Sequence, residues 1–301
     1  MVFFISTPKC EGYNLKSSVY NIRIMSTFRI SVAIWSLGKT ITIDDLERQL
    51  SIAREIGAKG VQLWAVDYNS SESCLLDPDR CDAKCRKEVL ELLNSLDLEI
   101  SGFCAQLSGT KGLGGLDEPE GLRERVEKTK RVLEFASLMG SPIVTTHPGR
   151  IPENKEDKTY NIIKKSISEI SRYAEDVGAY FAVETGMEPP RILKAFIEDV
   201  GIDALRVNYD PANLLRYGVE EAVNGVRELG KWIVHTHAKD HNPKTGRATV
   251  GEGLVPWRRY LKELRDQGYS GWLALEDETG IDVVNSLKKG REFLLSLIRQ
   301  L

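Results

Sequence analysis

The chain has 301 residues, of which 42% are hydrophobic and 28% charged, and its formal net charge is −3. This composition is ordinary for a globular protein and excludes a largely disordered one. The small negative charge excludes a global basic field for nucleic acid or an anionic membrane. No apolar run approaches the roughly 20 residues that a membrane-spanning helix needs. The five cysteines predict reduced thiols and a cytoplasmic protein.

The first 26 residues are predicted to be an N-terminal extension, either disordered or the product of a misassigned start. A second methionine, Met25, stands just before the first strand-like run. The folded domain is therefore predicted to span residues 27–301.

Within that domain, short apolar runs alternate with stretches of helical periodicity. The predicted strands are 29–34, 60–64, 98–103, 142–146, 180–184, 205–210, 232–237 and 272–276. The predicted helices are 44–56, 84–96, 120–139, 158–177, 192–198, 220–229, 257–267 and 283–298. Eight such units predict a single (β/α)8 TIM barrel. A doubly wound sheet is disfavoured, because residues 36–39 carry no Gly-rich dinucleotide fingerprint.

Four of the late predicted strands end in a residue type that binds metals. These residues are Glu184, Asp210, His237 and Glu276. Because the carboxyl ends of barrel strands meet at one mouth, their side chains are expected to converge. Any one of them alone would be an ordinary polar strand end, but four in succession favour a metal site. Three carboxylates and one imidazole suit one divalent ion, either Mn²⁺, Mg²⁺, Co²⁺ or Zn²⁺.

Five motifs resemble those of the xylose isomerase-like barrel superfamily, in the same order. They are Val183–Glu184, Tyr209–Leu214, His235–Asp240, Val250–Gly253 and Leu275–Glu276. The chain is most similar to the sugar phosphate isomerase/epimerase branch, which includes ketose 3-epimerases, inosose dehydratases and hydroxypyruvate isomerases. The resemblance implies that the four strand-end residues coordinate one divalent ion. It also implies that Glu184 and Glu276 exchange the proton on the carbon beside the substrate carbonyl.

These implications predict a metal-dependent isomerase or epimerase of a sugar or sugar-like hydroxy-ketone, acting through an enediolate. A dehydratase of a polyol-derived ketone would form the same enolate, so an activity similar to inosose dehydratase stays open. The expected partner is a small-molecule carbohydrate, and neither nucleic acid nor a membrane is expected. Many relatives are dimers or tetramers, which leaves a homo-oligomer open.

Five further residues are predicted to bind substrate: Trp35, Trp64, His147, Asn213 and Lys239. The tryptophans follow the first two strands and would form an apolar wall against the sugar, with core packing as the equal alternative. For His147 a structural role is equally consistent. Asn213 replaces a histidine of the family pattern and is a poor direct ligand. For Lys239, an ion pair with Asp240 is the favoured alternative.

Two polar residues close to these positions are given no catalytic role. Gln62 stands where relatives often carry an acidic residue, so its function is left open. His235 lies two residues before His237 and is predicted to be buried one layer below it.

Two loop features are also interpreted as non-catalytic. Cys74, Cys81 and Cys85 follow the second strand, and isolated thiols are favoured over a disulfide or zinc pair. The stretch from Gly109 to Gly115 lacks the spacing of a phosphate-binding loop, and a mobile lid fits it as well.

Two other functions remain as alternatives. An endonuclease IV-like abasic-site nuclease needs three zinc ions, but the chain has four histidines in all and a net charge of −3. A non-catalytic sugar-binding barrel would be favoured if Glu184 or Glu276 were missing, and both are present.

Overall fold

The computed structural model describes residues 28–67, 74–109, 112–113, 115–218 and 222–301. The strands are β1 (Arg29–Ala33), β2 (Gly60–Asp67), β3 (Glu99–Gln106), β4 (Ser108–Gly109), β5 (Gly112–Leu113), β6 (Ile143–Thr146), β7 (Tyr180–Glu184), β8 (Leu205–Tyr209), β9 (Ile233–Ala238) and β10 (Trp272–Leu275). All but β4 and β5 form a closed parallel barrel in the order β1-β10-β9-β8-β7-β6-β3-β2. The prediction of a single (β/α)8 TIM barrel is confirmed.

The barrel strands are covered by helices. These are α1 (Ile43–Ile56), α2 (Ala83–Ser95), α3 (Leu122–Leu138), α4 (Lys158–Asp176), α5 (Pro190–Val200), α6 (Pro211–Tyr217), α7 (Ala222–Leu229), α8 (Trp257–Asp266) and α9 (Val283–Ile298). The sequence did not predict α6, which has only seven residues. It forms because the Asp210 side chain caps its first turn and Pro211 occupies the first helical position.

Each helix presents one apolar stripe to the barrel. In α1, for example, Leu46, Leu50 and Ala53 are fully buried at helical spacing, while the capping box of Thr42 and Asp45 fixes where the helix begins. Because these stripes cover the outside of the sheet, the carboxyl ends of the strands are left for polar side chains.

Three predictions about the periphery have different outcomes. The predicted extension, residues 1–26, lies outside the described residues, so the domain boundary at 27 stays a prediction. In the Gly-rich loop, β4 and β5 pair as a small antiparallel hairpin, and the lid role stays a prediction. Every helix in the described ranges is too short or too polar to span a bilayer.

The prediction of isolated thiols is wrong for two of the cysteines. Cys81 and Cys85 form a disulfide, with their Cα atoms 5.1 Å apart. The turn into α2 brings them together, because Cys81 directly precedes the N-cap residue Asp82 and Cys85 lies in the first helical turn. Cys74 and Cys104, the other two cysteines in the described ranges, are not joined in a disulfide.

Candidate active site and metal centre

A cavity of about 270 Å³ lies at the carboxyl ends of the barrel strands. All five residues predicted to bind substrate line it: Trp35, Trp64, His147, Asn213 and Lys239. Three of the four predicted metal ligands, Glu184, His237 and Glu276, line it as well. The fourth, Asp210, is fully buried. Strand ends far apart in sequence therefore meet at one mouth, as the barrel topology requires.

A buried triad of Glu184, Asp210 and His237 could hold a metal ion. Each residue offers one ligand atom, and the three atoms lie within 4.8 Å of one another. Glu276 is not part of this compact set, although its Oε2 lies 3.1 Å from His237 Nδ1. The geometry therefore brings three of the predicted ligands together and places the fourth against one of them.

Two amides hold the Glu184 carboxylate in place. Asn213 Nδ2 donates to Glu184 Oε1 over 2.8 Å, and Asn208 Nδ2 donates to Glu184 Oε2 over 3.0 Å. Next to Glu184, Gly186 has φ +153°, and a Cβ there would lie 2.8 Å from Asn213 Cβ. Only glycine lets this loop pass so close to Asn213. The sequence analysis missed Asn208, whose signal is an amide inside an apolar strand, two residues before Asp210.

The His237 ring is oriented by Gln62, which the sequence analysis left without a role. Gln62 Nε2 donates to Thr145 Oγ1 over 2.8 Å, which points its Oε1 at His237 Nε2, 2.9 Å away. His237 Nδ1 then faces Glu276 Oε2 at 3.1 Å and Glu184 Oε1 at 3.5 Å. A hydrogen bond at one ring nitrogen fixes which nitrogen faces a metal.

Asp210 gives the clearest test of whether these residues suit a cation. Its Oδ1 accepts hydrogen bonds from the backbone N–H groups of Ala212 and Asn213, at 2.8 and 2.9 Å. Its Oδ2 is buried without a hydrogen-bond partner, 3.8 Å from His237 Nδ1 and 3.7 Å from Lys239 Nζ. A buried carboxylate oxygen normally has a partner, and a mixed oxygen and nitrogen set suits a hard or borderline divalent ion. The residues present fit such an ion.

The close packing of charges shifts the pKa values of Glu184, Glu276 and His237. Burial alone would raise the pKa of Glu184, but His147 and His237 outweigh it and lower that pKa well below its usual range. Burial likewise opposes ionisation of Glu276, but Lys239 and His237 lower its pKa to about 2. Burial disfavours the charged form of His237, yet Glu184 and Glu276 raise its pKa well above the usual value. Both glutamates are therefore ionised at neutral pH.

The remaining predicted contacts surround these carboxylates. Trp35 Nε1 donates to Glu276 Oε1 over 3.0 Å, and its ring packs edge-on against Trp64, with centroids 5.6 Å apart. His147 Nε2 lies 3.2 Å from Glu184 Oε1, while its Nδ1 is buried without a hydrogen bond. The two tryptophans and His147 thus form part of the cavity wall.

Two of the four histidines lie outside the cavity lining. His235 is fully buried, and its Nδ1 lies 2.9 Å from Asn208 Oδ1. His241 Nδ1 contacts the backbone oxygen of Gly246 at 3.0 Å. Only His147 and His237 among the four histidines line the cavity. Two histidines are too few to help coordinate three zinc ions in the way that an abasic-site nuclease requires.

The ion pair predicted between Lys239 and Asp240 is wrong. Lys239 Nζ lies 3.0 Å from Glu278 Oε2, 3.6 Å from Glu276 Oε2 and 3.7 Å from Asp210 Oδ2. Adjacent residues at a strand end point in opposite directions, so Lys239 faces the cavity and Asp240 faces the following loop. These carboxylates raise the pKa of Lys239 despite its burial.

A model of one protein family, the Xylose isomerase-like TIM barrel, matches residues 50–297. The chain belongs to this family. The resemblance drawn from the five motifs is thereby confirmed. Since the family includes proteins of different activities, its name by itself does not identify a substrate.

Two characterised relatives and one solved structure sharpen the comparison. Fructoselysine 3-epimerase of Escherichia coli O157:H7 is 23% identical over 245 residues, covering 77% of this chain and 85% of that protein. Inosose dehydratase of Clostridium botulinum is 22% identical over 183 residues, covering 52% of this chain and 60% of that enzyme. A xylose isomerase-like TIM barrel protein from Mycobacterium smegmatis, solved in complex with magnesium, superposes with a TM-score of 0.71. It is 18% identical, and the superposition covers 91% of this chain and 97% of that one. The relatives include sugar epimerases and inosose dehydratases.

Proposed function

We propose that this protein is a divalent-metal-dependent epimerase or isomerase of a sugar or sugar-like hydroxy-ketone. The observation that carries the proposal is the Oδ2 of Asp210, which is buried without a hydrogen bond inside a triad with Glu184 and His237. Glu276 stands at the edge of that triad, and the cavity beside it has the size of a small molecule. The epimerase relative and the magnesium complex support the same assignment.

Glu184, Asp210, His237 and Glu276 would hold the ion, with Mn²⁺, Mg²⁺, Co²⁺ or Zn²⁺ as candidates. Such an ion polarises a carbonyl and stabilises negative charge that develops on neighbouring oxygens. The protein positions the donors in advance: Asn208 and Asn213 fix the Glu184 carboxylate, and Gln62 fixes the His237 ring.

Glu184 and Glu276 move the proton. One carboxylate accepts the proton from the carbon beside the carbonyl, and the C–H electron pair passes to the carbonyl oxygen to give an enediolate. For inversion, the other glutamate first takes up a proton from solvent and delivers it to the opposite face of that carbon, while the enediolate electron pair re-forms the carbonyl. Delivery to the neighbouring carbon, with transfer of the hydroxyl proton between the two enediolate oxygens, moves the carbonyl instead. The Trp35 indole holds Glu276 by its Nε1–H, and Trp35 and Trp64 shield one side of the cavity from water.

The test combines metal content with exchange of the substrate's carbon-bound proton for deuterium in D₂O. We expect about one divalent ion per chain, and uptake of deuterium by a ketose. Glu184→Gln and Glu276→Gln should each lower the uptake by at least about 10³-fold, since each removes a proton carrier. His237→Ala should lower the metal content. Glu252→Gln makes the same carboxylate-to-amide change at an exposed residue paired with Lys289, and should behave as wild type.

The result that would contradict this function is normal exchange in both glutamine variants, or no metal binding even after Mn²⁺ or Co²⁺ is added. A content near three zinc ions per chain would favour a nuclease instead. Deuterium uptake without inversion of a stereocentre, accompanied by elimination of water from the substrate, would favour the second candidate. That candidate is a dehydratase of a polyol-derived ketone, supported by the similarity to inosose dehydratase.

A further inference from the structure

Three cationic side chains approach one carboxylate oxygen at the rim of the cavity. Lys239 Nζ, Arg247 Nε and Arg216 Nη1 lie 3.0, 3.4 and 3.9 Å from Glu278 Oε2. Arg247 Nη1 also donates to the backbone oxygen of Glu278 over 2.9 Å. These four residues, called the rim cluster below, come from the segments after β8, β9 and β10.

The charges of the rim cluster do not balance. Lys239 is also 3.6 Å from Glu276 and 3.7 Å from Asp210, so its charge is shared with the carboxylates of the inner site. Two guanidinium groups and one carboxylate then remain at the rim, which leaves it with a net positive charge. Since arginine does not lose its proton at any working pH, that charge is permanent.

The rim cluster lies within reach of the reacting centre. Arg216, Lys239 and Glu278 line the 270 Å³ cavity together with the two proposed proton carriers. Lys239 Nζ stands between the inner site and the rim, 3.7 Å from Asp210 Oδ2 and 3.0 Å from Glu278 Oε2. A single small molecule can therefore contact both places. On the far side, Glu278 and Arg247 line a second, shallower cavity of about 670 Å³.

Guanidinium groups recognise phosphates and carboxylates through paired hydrogen bonds. A neutral sugar can also accept hydrogen bonds from guanidinium groups, but it offers no charge to offset the net positive charge of the rim. The side chain of Arg216 is 43% exposed at the cavity, so its guanidinium can turn toward a ligand without breaking a buried pair.

We propose that the substrate carries an anionic group, a phosphate or a carboxylate, which binds to Arg216 and Arg247 at the rim. Glu278 gathers these arginines at one point and competes with the substrate anion for them. The inference rests on the proposed function, because it assigns the far end of a substrate whose carbonyl end reacts at Glu184 and Glu276.

Two readouts on the metal-loaded full chain test this subsite. The first is the Kd of inorganic sulfate by calorimetry, which needs no turnover. Arg216→Gln should weaken sulfate binding about tenfold or more, because a charge-assisted hydrogen bond is lost, and Glu278→Gln should tighten it, because the competing carboxylate is gone. Arg227→Gln removes the same charge from a pair with Glu263 on α7 and α8 and should leave the Kd unchanged.

The second readout is kcat/KM for deuterium exchange with D-fructose, D-fructose 6-phosphate and D-fructuronate. We expect one of the two anionic ketoses to be preferred over fructose, and which one it is separates a phosphate from a carboxylate. Arg216→Gln should reduce that preference about tenfold.

A preference for fructose, together with sulfate binding that Arg216→Gln does not change, would overturn the subsite. The failure of the proposed function has a different signature. If no ketose exchanges its proton, the epimerase assignment fails, whereas opposite shifts of the sulfate Kd in Arg216→Gln and Glu278→Gln would still support an anion site.

Discussion

Two buried aspartates at neighbouring strand ends are used in opposite ways. Asp240, after β9, accepts hydrogen bonds on both carboxylate oxygens. The donors are the backbone N–H groups of His241, Gly251, Gly253 and Val255 and the indole N–H of Trp257, at 2.8 to 3.2 Å. Asp210, after β8, has two donors on one oxygen and none on the other.

Burial does not distinguish these two residues, because Asp240 is 2% exposed and Asp210 is fully buried. The difference lies in acceptor capacity. A carboxylate whose lone pairs are all used by N–H donors organises the loop around it. A carboxylate oxygen that accepts no hydrogen bond can still bind another partner. Beside Glu184 and His237, the partner that suits the Asp210 oxygen is a cation.

The largest predicted effect is on the fully satisfied aspartate. Asp240→Asn replaces one carboxylate oxygen with an NH₂ group. The two or three N–H donors that bonded to that oxygen then face another donor and lose their acceptor. We expect the free energy of unfolding to fall by about 3 kcal/mol, measured by urea denaturation with far-UV circular dichroism. Metal affinity, measured by calorimetry with Mn²⁺, should change little in whatever fraction stays folded.

The matched change at Asp210 should reverse this pattern. Asparagine keeps an oxygen that caps α6, so the metal-free protein should be as stable as wild type. Affinity for Mn²⁺ should fall by about 100-fold, because the unused oxygen is replaced by a donor. Equal destabilisation by both substitutions, with no difference in metal affinity, would erase the distinction between the two aspartates.

A third buried carboxylate, Glu188, sharpens the comparison because it has few hydrogen bonds and lies outside the triad proposed to bind metal. Its one hydrogen bond among the described contacts comes from the Ile151 backbone N–H at 3.4 Å, and burial raises its pKa to about 7. The unfolded chain releases this proton near 4.5, so the stability from the protonated form is full below pH 4.5 and is lost as pH rises through 7.

Glu188→Gln should therefore stabilise the protein at pH 8 by up to about 3 kcal/mol and change little at pH 4.5. Urea denaturation of both proteins at the two pH values measures this difference. A gain that is the same at both pH values would mean that packing, rather than ionisation, distinguishes the two side chains.

The sequence predicted the barrel and the strand-end residues, because both depend on local patterns. Apolar runs of fixed period specify strands and helices, and a Glu or His that interrupts such a run stands out. The partners of these residues did not follow from any local pattern. Gln62 meets His237 only because the barrel closes, which brings β2 and β9, separated by β1 and β10, to one interior. The rim cluster likewise combines residues from the segments after three different strands. Lys239 was assigned to its chain neighbour Asp240, although strand geometry turns the two side chains apart.

The smallest predicted effect concerns Gln62, which contacts the proposed metal site only through His237. Gln62→Met keeps the size of the side chain but removes the acceptor for His237 Nε2, so the ring loses its fixed orientation. We expect Mn²⁺ affinity to fall about tenfold while the unfolding transition stays cooperative. Gln62→Glu restores an acceptor in the same place and should restore affinity, which separates positioning from packing. If methionine and glutamate weaken Mn²⁺ binding equally, Gln62 acts through packing, and the orientation of His237 is set by the neighbouring Asn208 amide instead.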